Sequence, residues 1–94
     1  MLLQNPNHYS VDFILQALTN DFNKKLKNSG SFKQYTYLRR GNSNVILIRE
    51  SDGTDVIWIN ILKFEIEVGN YTDRLEPLTE IESFLKTLGL NILK

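Results

Sequence analysis

Two runs of apolar, mostly β-branched residues, Val45-Ile46-Leu47-Ile48 and Val56-Ile57-Trp58-Ile59, stand on either side of Ser51-Asp52-Gly53-Thr54. Asp-Gly tolerates the positive φ angles of a tight turn, so this block predicts a β-hairpin at the heart of the chain. Val45-Ile46-Leu47-Ile48 is apolar on both faces, which predicts a central strand over residues 45–50. Beyond the turn, Val56, Trp58, Asn60, Leu62, Phe64, Ile66 and Val68 keep one alternation without a break. On the other parity, Ile57, Ile59 and Ile61 give way to Lys63, Glu65 and Glu67. With no turn residue in between, residues 55–68 read as one long strand, bulged near Asn60. Such a strand outruns its hairpin partner, and its last backbone groups need another partner. Leu90-Asn91-Ile92-Leu93, Leu2-Leu3, a second copy of the chain or, at a protruding edge, water are the candidates, and an edge at Lys63, Glu65 and Glu67 predicts strand addition within a homodimer or to a partner.

Helical spacing brackets this sheet. Val11, Ile14, Leu15, Leu18, Phe22 and Leu26 recur at three and four residues, predicting a helix over 10–28, with Ser10 as its cap and Gly30 ending it. Residues 32–40 are aromatic and β-branched and read as a strand, followed by the turn Arg40-Gly41-Asn42-Ser43-Asn44. Gly69 to Asp73 reads as a loop. Pro77 opens a second helix over 77–88, with Leu78, Ile81, Leu85 and Leu88 as its buried stripe and Gly89 beyond it. The expected architecture is one α+β domain over residues 1–94. Its order is α-β-β-β-α with a possible short final strand, a three-stranded antiparallel meander with both helices on one face.

The charges are segregated. Residues 22–49 hold Lys24, Lys25, Lys27, Lys33, Arg39, Arg40 and Arg49 and no acid. Residues 50–82 hold nine acids against Lys63 and Arg74. Opposed blocks of this kind suit an oriented encounter with a macromolecular partner, unless neighbouring strands cancel them.

Chemistry is sparse. The absence of cysteine removes disulfides, thiolate nucleophiles and sulfur-ligated metal, and fits a reducing compartment. The first residues carry no basic-then-apolar signal pattern and no run is long enough to span a bilayer, so a cytoplasmic protein with no membrane association is expected. His8 is the only histidine and has no evident partner. Asp52-Gly53-Thr54-Asp55 is explained by the hairpin without a cation, and Glu65 and Glu67 by a solvated strand face rather than acid–base work. No cofactor or metal is expected.

Lys33, Tyr35, Tyr37 and Arg39 share one face by the two-residue period, and Arg40 adjoins them. Rings interleaved with cations are the pattern of a single-stranded nucleic-acid platform, whereas tyrosines in a short sheet also pack under helices. The α-β-β-β-α order resembles the topology of double-stranded-RNA-binding domains. In that family the second helix opens with lysines that grip phosphate, where this chain places Glu76, Glu80 and Glu82. The first expectation is therefore a small non-enzymatic protein-binding module of regulatory, inhibitor or immunity type. A nucleic-acid-binding domain using the basic-aromatic strand is the second.

Overall fold

The computed structural model describes residues 1–30 and 33–93. The class is α+β, but the sheet has five antiparallel strands rather than three, in the order β1-β5-β4-β3-β2. These are β1 (Leu2–Gln4), β2 (Tyr35–Arg39), β3 (Val45–Glu50), β4 (Asp55–Ile61) and β5 (Glu65–Asn70). The expected start of β2 at Phe32 lies outside the described residues.

Helix α1 runs through Val11–Ala17, a π-helical stretch at Leu18–Phe22 and a last segment at Asn23–Asn28. Ser10 caps it, its Oγ accepting the Phe13 amide at 3.1 Å. The π turn has a packing reason. Ile14, Leu18, Phe22 and Leu26 repeat every four residues, and each such step on an α-helix overshoots one turn by about 40°. A wider turn takes back that drift and keeps all four buried on one face. Helix α2 is Glu76–Thr87, with Pro77, Ile81, Phe84 and Leu85 buried. Phe84, outside the expected stripe, meets Phe22 of α1 with ring centroids 5.2 Å apart, while Leu78 and Leu88 are only partly buried.

The expected long third strand is in fact a hairpin. β4 and β5 pair with Ile61 opposite Ile66, and the Leu62 amide donates to the Glu65 carbonyl at 2.9 Å, so Lys63 and Phe64 form the tip. A two-residue reversal changes the phase. Ile57, Ile59 and Ile61 share the helix-covered face with Ile66 and Val68, all buried, whereas Trp58 and Asn60 stand on the other side. The register shift lies between Ile48 and Arg49, where Arg49 pairs with Asp55 and Val56 is passed over, not near Asn60. This lets Val56 and Ile57, adjacent in sequence, both enter the core.

Remote residues hold the tip that has no turn chemistry of its own. The buried Asn5 (1% exposed) accepts the Tyr9 amide at 2.9 Å and donates to the Tyr9 carbonyl at 3.1 Å and the Leu62 carbonyl at 2.9 Å. The Asn5 amide donates to the Phe64 carbonyl at 2.8 Å, and His8 Nδ1 lies 3.0 Å from the Lys63 carbonyl.

The segment expected to overhang is paired on both sides. β1 lies along β5 with Leu2 opposite Glu67 and Leu3 opposite Ile66. The far side of β1 is bonded in turn by residues 91–93: the Gln4 amide donates to the Asn91 carbonyl, and the Leu93 amide to the Leu2 carbonyl. Strand addition at Lys63, Glu65 and Glu67 therefore has no open edge to use. Gly69 and Asn70, expected in a loop, belong to β5.

Candidate functional site: the helix-free sheet face

All helices cover one side of the sheet. On the opposite side, register aligns Leu38 of β2, Leu47 of β3, Trp58 of β4 and Gly69 of β5 in a single row across four strands. Alternation forces this: Tyr37, Ile48, Ile57 and Val68 point into the core, so their neighbours point away. Leu38 is 46% exposed, Leu47 is buried between its neighbours, and Trp58 is half-buried. At Gly69 a Cβ atom would lie 2.1 Å from Trp58 Cε2 and Cζ2, so the indole occupies the space a side chain there would take. Beyond it, Met1, Leu2, Trp58, Glu67, Val68 and Gly69 line an open cleft of about 450 Å³.

Polar residues flank the row. On one side Arg49 Nε donates to Asp55 Oδ1 at 2.6 Å. On the other, Asn60 Nδ2 donates to Glu67 Oε1 at 3.0 Å, and exposed Arg40, in phase with Leu38, donates its amide to the Val45 carbonyl at 2.9 Å. The face is apolar along its middle, and at its sides Arg40 and Arg49 stand against Asp55, Glu65 and Glu67.

The residues singled out on the first strand lie elsewhere. Tyr35, Tyr37 and Arg39 do share a face, but it is the helix-covered one. Tyr35 is 4% exposed, stacks on Phe22 at 5.8 Å and directs its hydroxyl to Glu80 Oε1 at 3.3 Å. Tyr37 donates its hydroxyl to Asn23 Oδ1 at 3.2 Å. Burial pushes both phenols well above the usual tyrosine range, and the Glu80 carboxylate adds to the effect at Tyr35. Lys33 is paired with Glu76 and lies 3.8 Å from Glu80, and Arg39 lies 3.3 Å from Asp12. The Lys33 ammonium holds the Glu76 carboxyl below the usual carboxylate range. Lys33 of the basic block thus meets Glu76 and Glu80 of the acidic one, and Arg49 meets Asp55, while Arg74 pairs with Glu50 inside the acidic block. Tyr35 therefore offers no ring surface for a base to stack on.

Lys63 sits at the β4–β5 tip with its ammonium 5.4 Å from the centre of the Phe64 ring. Glu65 is exposed, Glu67 half-buried, and both belong to the helix-free face. The 51–54 turn closes as a hairpin, with Gly53 at φ 88° and Asp52 Oδ1 accepting the Thr54 amide, which holds the Asp52 carboxyl low. Among the described residues, no group of three His, Cys, Asp or Glu is placed to hold a metal ion. No helix among them is long and apolar enough to cross a membrane.

The Leu38–Leu47–Trp58–Gly69 row was not singled out from the sequence. Its signal was an out-of-phase Trp58 beside a glycine that only strand pairing brings together. No protein-family model, curated protein or solved structure matches the chain.

Proposed function

We propose that this chain works by binding another protein across the helix-free face of its sheet, as a non-enzymatic module. The observation that carries the reading is the apolar row from Leu38 through Leu47 to Trp58, open on one side and framed by Arg40, Arg49, Asp55 and Glu67. A central strip of aliphatic and aromatic side chains with a charged rim is the usual anatomy of a protein interface. Tryptophan and arginine are the side chains most often found to dominate such contacts. The rim has no excess of cations, which disfavours a polyanion, since phosphate neutralisation needs one.

The test is affinity capture with the wild-type chain and with Leu38→Glu, both nuclease-treated. Leu38 is exposed on the outermost strand, so the variant is expected to fold, which circular dichroism checks. A stoichiometric protein held by the wild type and lost with Leu38→Glu supports the reading. Equal recovery by both, recovery of nuclease-sensitive material alone, or no protein at all from a chain that also fails to self-associate overturns it.

A further inference from the structure

We propose that the partner fitted by this face is a second copy of the same chain, packed sheet against sheet about a two-fold axis parallel to the strands and running between β3 and β4. The inference rests on the protein-binding reading above and names its partner.

The order of features along the register makes the face complementary to itself. A two-fold axis in that position exchanges β3 with β4 and β2 with β5 while leaving each cross-strand row in place. Along the central row, the protruding Leu38 of one copy then falls on Gly69 and the Trp58 indole of the other, and Leu47 falls on Trp58. The convex end of the row is at β2 and its cleft, lined by Trp58, Leu2 and Met1, is at β5, so each knob meets each hollow.

The flanking rows match in charge under the same operation. Arg40 is opposite Val45, which is opposite Asn60, which is opposite Glu67, so the axis sets Arg40 of one copy over Glu67 of the other. Arg49 and Asp55 are neighbours on β3 and β4, so each meets the opposite charge of its mate. Both shape and charge are thus self-complementary, as a closed isologous contact requires. Aligned packing is also the commoner way for two twisted sheets to meet. Five strands spaced ~4.8 Å apart span only about 20 Å, so the dimer belongs to the small, reversible class.

Charge reversal tests this without disturbing the core. Arg40→Glu brings a second carboxylate against Glu67 in a homodimer, and Glu67→Arg brings a second guanidinium against Arg40. Sedimentation velocity from micromolar to millimolar concentration should show the wild type dimerising, with the emission of Trp58, the only tryptophan, shifting to the blue as it does. Each variant alone should weaken self-association at least tenfold. Mixed, the two variants should regain a one-to-one heterodimer, because every facing pair is then opposite in sign. A wild type monomeric throughout, or a dimer indifferent to both reversals, overturns the proposal. If the chain is monomeric yet Leu38→Glu abolishes capture of a different protein, the binding reading stands and only the self-partner falls.

Discussion

Trp58 lies across Gly69, its cross-strand neighbour, so closely that a Cβ at position 69 would stand 2.1 Å from the indole carbons. The glycine is therefore part of the tryptophan's seat. Gly69→Ala must push the ring out of place or bend β5, at a cost of about 1–3 kcal/mol. The expected result is a lower urea midpoint together with a red shift of Trp58 emission. An unchanged spectrum would mean that the ring does not rest there.

Asn5 closes a hairpin to which it does not belong. Asn5→Ala leaves the Tyr9 amide and the Leu62 carbonyl without their side-chain partners, and unpaired buried groups of this kind cost about 1–3 kcal/mol each. The urea midpoint should fall accordingly, and amide exchange should speed up first at Leu62 and Glu65. Protection lost evenly over the sheet would instead assign Asn5 a global role.

Asn23 does for the outer strand what Asn5 does for the tip. Its side chain donates to the Tyr35 carbonyl at 2.8 Å and accepts the Tyr35 amide at 2.9 Å, and it also accepts the Tyr37 hydroxyl. It thus occupies part of the free edge of β2 in place of another strand. Asn23→Ala is expected to cost about 2 kcal/mol and to expose the Tyr35 amide to exchange. A protected Tyr35 amide in that variant would contradict this role.

Alkaline pH should unfold the protein through its buried phenols. Tyr35 and Tyr37 are held neutral in the fold, with burial as the first cause at each. An unfolded tyrosine ionises near ~10. The stability these groups supply is complete below that pH and is lost as pH climbs toward their folded-state values, because the unfolded chain gives up its protons first. The slope is about 1.4 kcal/mol per pH unit for each tyrosine. Urea midpoints should therefore be insensitive to these groups up to about pH 9 and then decline, and Tyr35→Phe should roughly halve the decline. An unaltered slope in Tyr35→Phe would show that its hydroxyl is not the group responsible.

The parts of this fold that were legible in advance are those whose signals are local. Ser10 and Gly30 bound the first helix in the chemistry of neighbouring residues, and Asp52-Gly53 turns the chain by itself. The β4–β5 tip carries no such mark: Lys63-Phe64 is a poor turn by composition, and the residues that stabilise it, Asn5 and His8, lie more than fifty positions away. The alternation from Val56 to Val68 looked continuous because a two-residue reversal swaps parity silently. A strand about twice the usual length with a partner half as long was the available warning. On β2, periodicity correctly grouped Tyr35, Tyr37 and Arg39. Which side of a sheet the helices cover is a tertiary fact that alternation cannot express, and that fact moved the candidate surface from the tyrosines to Leu38 and Trp58.

The pairing of β1 between β5 and residues 91–93 also sets a timetable for synthesis. Leu2, Leu3 and Gln4 are translated some sixty codons before their partners at Glu65–Glu67, and Asn91 and Leu93 follow later still. Domains tend to fold in the order they emerge, but here β1 must wait, unpaired, until β5 and residues 91–93 have been made. A nascent chain stalled before residue 65 should hold the α1, β2, β3 and β4 segments with β1 still loose, so a strand made before all of them is among the last to find its place.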